Sequence, residues 1–556
     1  MFSIPELDKM MCRQLDRGSL VQCAKVNKKW NAAITPFIWR TIPEGIWHRN
    51  WRSFCYLVLE DFLQEQQHLK DSQQPSPTKK AGQPTQAVAS FSAKSSKPRR
   101  NTTPLALAKY GGNVRQVDCS AELLLGLEHL RSSKVELSLF GRSPGLSALD
   151  LIRHFLKRCP NALMDLEMSN KLFNSPKMFR LALEVLPRVT NLSVRGDCDR
   201  RKVFPASKFK QALAAASNNL QSLTFDFLLF RHEEADDANG APEPVMTARP
   251  KRLHIRKMFD PSGCEWLWRA CGQVQELELH DISEQVYVSV AIAIRESMSS
   301  LDTVIFGDQR ESMGGYHLND EKVMFIIKCG TKGWKAIHCG SLARFGLHCV
   351  QPVCSQAATL EELSATRVEV PIGVSAILKF SSKLRICKII DESVSGRGLA
   401  PKMPASDFID WDHKSKTVRP WACRDTLETL AINFTQRDQH GELEDDWSFR
   451  KTQQRLCEQL GTFKNLKVLQ LAPKGYRDVR QEECLHLTLE MGLDKLDGLK
   501  NLEELYIANM DHKVGLREVK WMIESWPKLS KLYGLPAHTM AAKWLKASHS
   551  KIRQSD

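Results

Sequence analysis

The chain has 556 residues, 42% of them hydrophobic and 26% charged, which leaves room for several domains or one long repeat array and excludes wholesale disorder. Its net charge of +15 raises nucleic acid or an acidic surface as a partner. That charge is uneven, with +7 in residues 66–113, +3 in 536–556 and only about +3 between 114 and 535, so a basic groove that reads nucleic acid is not expected in the main body.

Residues 1–65 are dense in apolar and aromatic groups, Trp30, Trp39, Trp47 and Trp51 among them, and read as short helices. Pro5, Glu6, Asp8 and Lys9 interrupt any apolar core of a secretory signal, and nowhere does an apolar run reach the length of a membrane span. The expectation is a protein of the cytoplasm or nucleus, without a membrane partner. Pro5 suits a first helical turn. Ser19 is placed to cap a helix with Leu20, Cys23, Val26 and Trp30 along one face. So small a unit needs either a partner helix to complete its core or a role as the cap of a solenoid.

Residues 4–42 resemble the F-box. Ile4 and Pro5 stand at its opening Leu-Pro, Leu15 at the anchor of its first helix, Leu20, Cys23, Val26 and Trp30 along its second, and Trp39 at its closing aromatic. Ile in place of the opening Leu, and Met10-Met11 where aliphatic residues are usual, are departures. The resemblance implies docking on the adaptor of an SCF, cullin–RING ubiquitin ligase through Ile4, Pro5, Leu7, Leu15, Leu20, Val21, Val26, Trp30 and Trp39. The F-box is set at 1–45, with a helical extension over 46–65.

Residues 66–113 form a basic Ser/Pro/Gln-rich linker that lacks the apolar groups to offset its ordering entropy. Its KSSKPRR stretch reads as a nuclear-import signal or as a chance basic cluster.

From about 105 onward an LxxLxL-like segment recurs thirteen times, from LMDLEM at 163 to LSKLYG at 529, at a spacing of about 30 residues. Helix-period segments such as MFRLALEVLP and REVKWMIESWP precede many copies, and Pro160, Pro187 and Pro527 stop helices ahead of the strands. One strand and one helix per repeat predict an α/β solenoid with parallel strands inside and helices outside. The pattern resembles leucine-rich repeats over 114–535, which implies a horseshoe; residues 536–556 are set apart as a basic cap or tail.

An F-box followed by leucine-rich repeats is similar to the substrate receptors of SCF ligases. The resemblance implies a non-catalytic subunit that tethers an unidentified protein target for ubiquitination. A repeat scaffold outside ubiquitin ligation is the alternative. No P-loop, HExxH or dinucleotide fingerprint is present, and no cofactor is expected. The sixteen Cys contain no CxxC pair, and Cys339, His348, Cys349 and Cys354 match no metal template, so reduced, buried thiols are expected.

Outward strand positions are the candidate target surface: Arg195, Asp226, Arg256 and His280 in one row, Asn191, Ser222, Arg252 and Glu276 in another, with His254 and Glu278 between. The same residues equally suit ion pairs between adjacent strands, Arg195–Asp226–Arg256 and Arg252–Glu276. The long intervals are candidate recognition loops, in particular 391–425 with Trp411 and Trp421. Solvated loops are the plainer reading.

Overall fold

The computed structural model describes residues 164–169, 176–196, 204–216, 219–226, 249–258, 260–261, 264–307, 319–340, 343–366, 368–369, 372–389, 402–435, 446–471, 485–508, 510 and 512–555, with short strands at 41–42, 116–119, 134–139 and 230–231. The adaptor-docking candidates Ile4, Pro5, Leu7, Leu15, Leu20, Val21, Val26, Trp30 and Trp39 and the 66–113 linker lie outside the described residues. The chain divides into two compact units, 1–223 with 233–248, and 224–232 with 249–556.

In the first unit β1 (Thr41–Ile42), β2 (Gln116–Cys119), β3 (Lys134–Leu139), β4 (Met164–Ser169) and β5 (Val189–Arg195) pair in chain order, all parallel. Helix α1 (Pro176–Val185) begins on a proline and ends in a 3-10 turn containing Pro187, where the chain turns into β5. Helix α2 (Ala206–Ala215) follows β5; β6 (Ser222–Asp226), whose last three residues are assigned to the second unit, alternates buried Leu223 and Phe225 with half-buried neighbours.

The second unit repeats one construction. Strands β7 (Arg252–Arg256), β8 (Glu276–His280), β9 (Thr303–Phe306), β10 (Ala336–Cys339), β11 (Glu362–Ala365) and β12 (Ile386–Ile389) are parallel neighbours in chain order. After β13 (Lys402–Pro404) the series continues through β14 (Thr429–Thr435), β15 (Val468–Gln470), β16 (Glu504–Tyr506), β17 (Lys531–Tyr533) and β18 (Arg553–Ser555). Between them run α3 (Glu265–Ala270), α4 (Glu284–Glu296), α5 (Asp320–Cys329), α6 (Leu347–Ser355), α7 (Ile372–Phe380), α8 (Asp446–Gly461), α9 (Leu516–Ser525) and α10 (Met540–Ser548). All thirteen LxxLxL-like segments fall on strands.

The alternation dictated by the sequence becomes a ladder. Leu253, Leu277, Val304, Ile337, Leu363, Cys387, Leu430, Leu469, Leu505 and Leu532 are in register and buried, each on the apolar face of a strand whose next residue points the other way. The backbone ahead of each strand is shared between repeats. The Lys251 carbonyl accepts from the N–H groups of Gln275 at 2.8 Å and Glu276 at 3.1 Å, and Gln275, Asp302, Lys335, Glu361, Arg385, Glu428, Lys467 and Glu503 repeat the double acceptance.

One side chain joins two repeats. Asp320 is the first residue of α5, and its carboxylate accepts from the N–H groups of Gly346 at 2.9 Å, His348 at 2.8 Å and Cys349 at 3.2 Å at the start of α6. Cys349 N–H also reaches the Gly346 carbonyl at 3.2 Å, but the first N–H groups of a helix are short of acceptors within it, so α6, which lacks a side-chain cap of its own, borrows one from the repeat before. Gly346 makes room for it: a methyl group there would sit 2.5 Å from the carboxylate.

Two expectations are corrected. The array does not stop at 535: α10 and β18 add a further helix and strand, with Lys531 and Arg553 in register. Nor is 391–425 simply a solvated loop. Within its described part β13 pairs with Asn433–Thr435 of β14, and a short hairpin brings Trp411 opposite Val418. Buried Gln459 of α8 holds this insertion, accepting from Asp410 N at 3.3 Å and donating to Arg419 O at 3.2 Å. Buried Gln453 does the same for the next segment, donating to the carbonyls of His486 and Met491 and accepting from His486 N.

Candidate functional site

In the second unit each strand turns its ladder residue into the core and its alternate residues outward, so register alone lays those residues out in rows. The first row runs Arg252, Glu276, Thr303, Ala336, Glu362, Ile386 and Thr429. The next runs His254, Glu278, Ile305, His338, Ser364 and Lys388.

The sequence-derived candidates meet on β7 and β8. Arg252 pairs with Glu276 at 3.6 Å, and His254 Nδ1 lies 2.6 Å from Glu278 Oε2. The second oxygen of Glu278 takes His280 Nε2, with Arg256 at 4.0 Å. Burial disfavours the Glu278 charge, yet hydrogen bonds from His254 and His280 and their positive charge outweigh it and hold the carboxyl well below its usual range. His280 fits because residue 307 is glycine: a methyl group there would be 1.8 Å from the imidazole. Farther along the row, burial pushes the His338 imidazole below its ordinary value.

The cross-strand pairing expected of Arg252 and Glu276 is therefore present. Arg195 pairs with Glu167 of β4 at 3.2 Å. Asn191 and Thr190 both donate to Asp165, at 2.6 and 3.1 Å. Asp226 is a half-buried outward residue of β6.

Trp421 is not a surface residue. It is 2% exposed, with its ring 4.4 Å from Phe408 and 6.1 Å from Phe463, so it anchors the insertion in the core. Trp411 is half-buried beneath the Arg455 guanidinium, 3.8 Å from the ring centroid. The tryptophans of the insertion hold its own fold together.

Two features escaped the sequence reading. Along the leading edge of the strands Arg385 and Lys467 clasp Glu428 from either side, at 2.8 Å each, and these hydrogen bonds lower the Glu428 carboxyl. They line an open groove of about 530 Å³ with Glu361, Lys383, Asp425, Thr426, Asn465 and Asn501, where acids and bases balance. At the carboxyl end Tyr506 and Tyr533 stack with ring centroids 4.0 Å apart and planes 6° from parallel. The Tyr506 hydroxyl donates to Glu504 at 3.1 Å, and Lys531 binds the same carboxylate. The signal was legible, since the motifs LEELYI and LSKLYG each place Tyr directly after the ladder Leu, 27 residues apart.

No group of His, Cys, Asp or Glu among the described residues is arranged to hold a metal ion, and no described helix is long and apolar enough to cross a membrane. Cys339 and Cys349 are buried, and burial raises both thiols; Cys271 is likewise pushed up to about 12. Such thiols are poor nucleophiles. The site offers hydrogen bonds, charge and aromatic edges for binding. Comparison with known protein families and with curated proteins finds no match to this chain.

Proposed function

We propose that the chain is the substrate-recognition subunit of an SCF-type ubiquitin ligase, with an F-box over 1–45 that docks on the adaptor and leucine-rich repeats whose outward strand face holds a protein target. The observation that carries the reading is one combination. F-box-like anchors at 4–42 precede parallel strand-and-helix repeats that turn a row of polar side chains outward. A receptor of this kind breaks no bond itself. It raises the effective concentration of target beside the transferring enzyme, and so converts an encounter into a step within one assembly.

A pull-down with purified adaptor tests it, comparing the intact chain with Pro5→Ala/Leu15→Ala and checking fold by circular dichroism. Capture by the intact chain that is lost in the folded variant supports the receptor. Failure of the well-folded intact chain to be captured refutes it. A second reading, a repeat scaffold acting outside ubiquitin ligation, draws on β1: Thr41 and Ile42 pair in register with Gln116 and Val117, as a terminal cap of a repeat array does.

A further inference from the structure

The carboxyl-terminal repeat is one-sided in charge. Between Glu524 and Asp556 there is no acidic residue, while Lys528, Lys531, Lys543, Lys546, Lys551 and Arg553 all fall there. Most of the basic side chains on the strand face nearer the amino terminus of the unit are neutralised, as Arg252 is by Glu276. At the carboxyl end the arithmetic differs. Lys531 is taken by Glu504, but Arg553, its register neighbour on β18, is exposed and makes no ion pair among the described residues. Lys551, two residues earlier, is also exposed.

Beside these cations lie the stacked rings of Tyr506 and Tyr533, half-buried and outward-facing. Tyr and Arg are the residue types that most often dominate binding energy at protein interfaces, because a large rigid side chain loses little entropy on contact and a guanidinium grips a carboxylate with two parallel hydrogen bonds. Stacking turns the facing surfaces of the two rings toward each other, at 4.0 Å, so neither inner face is open to a nucleobase. The ring edges remain for an apolar side chain. An exposed arginine beside a stacked tyrosine pair suits a protein segment that brings a carboxylate and an apolar side chain together.

We infer that the carboxyl-terminal end of the strand face, Tyr506, Tyr533, Lys531 and Arg553, is a docking surface for an acidic protein segment in which carboxylates flank an apolar residue. Arg553 takes a carboxylate, and the apolar side chain lies against the tyrosine edges. The inference deepens the receptor reading and rests on it for what the segment belongs to. The binding itself needs no adaptor.

The test is fluorescence anisotropy of a fluorescein-labelled Glu/Leu peptide with the full chain, alongside Arg553→Glu, Tyr533→Ala and, as a control on a distant strand, Arg252→Glu. The expected result is binding that weakens with added salt, falls at least about tenfold in Arg553→Glu and is unchanged in Arg252→Glu. Arg553 is exposed and its substitution leaves the fold intact, so the outcome stays readable even where Tyr533→Ala unfolds. Absence of binding by the folded chain overturns the inference, as does equal binding by Arg553→Glu. Tighter binding of a single-stranded oligonucleotide through the same residues also overturns it, in favour of nucleic acid. Adaptor capture of Arg553→Glu is measured in parallel. Peptide binding that depends on Arg553 in a chain the adaptor does not capture upholds the surface while the receptor reading fails.

Discussion

Replacing Asp320 with alanine removes the acceptor that three N–H groups of α6 share. Loss of an ordinary helix cap costs about 0.5–2 kcal/mol, and an anion near a helix amino terminus adds about 0.3–1 kcal/mol. Water replaces part of the loss, since the bond from His348 N is exposed. The local cost is therefore about 2 kcal/mol, or roughly a thirtyfold rise in the open population of the first turn of α6. Hydrogen exchange read by mass spectrometry on peptides spanning 346–349 is the assay, because it reports local opening in a chain too large for a single unfolding transition. Asp320→Asn keeps one side-chain acceptor and loses the charge, so it is expected to fall between wild type and alanine. Unchanged exchange at 346–349 in Asp320→Ala would sink the reasoning, and so would an asparagine variant as damaging as alanine.

Two further outcomes follow from the same geometry. Because Glu278 is held below its usual range, it contributes stability that is present above its unfolded value near 4.5 and is lost as pH falls through the lower folded value; the difference in hydrogen-exchange protection of peptides spanning 276–280 between wild type and Glu278→Gln, compared at each pH, is expected to be full at pH 6 and to narrow on acidification below about 4.5, and a difference that widens there contradicts the assignment. Trp421→Ala, at a site 2% exposed and in ring contact with Phe408, is expected to cost about 3–5 kcal/mol and to make 402–425 sensitive to protease, whereas a variant of unaltered stability would restore Trp421 to the surface.

The strands were legible because an inward residue recurs every second position, a pattern that survives changes of residue type: Cys387 holds the ladder place that Leu363 and Leu430 hold on either side. β13 and β18 were not, because neither KMP nor RQS lies in an LxxLxL-like segment, and β18 sets the polar Gln554 beside the ladder Leu532. The Arg252–Glu276 pair followed from register. The pairing of Arg195 with Glu167 was not foreseen, because Glu167 lies on the strand before it, in a copy left out of the aligned rows. Trp421 was misread from its charged neighbours: Arg419 and Arg424 face solvent while the indole turns inward. Asp320 illustrates the general limit, since a carboxylate that caps a helix 26 residues away leaves no mark within either local pattern.

The two buried glutamines of α8 bear on how this chain tolerates irregular repeat lengths. An added segment threatens a packed array chiefly through its unsatisfied peptide groups, and a primary amide offers both a donor and an acceptor from one uncharged side chain. Gln459 and Gln453 each return both halves of that exchange to a different segment. One helix thus works as a mooring post for two departures from the regular spacing, so the ladder behind it runs on undisturbed. The dependence is concentrated in the same place: damage to α8 casts off both segments together.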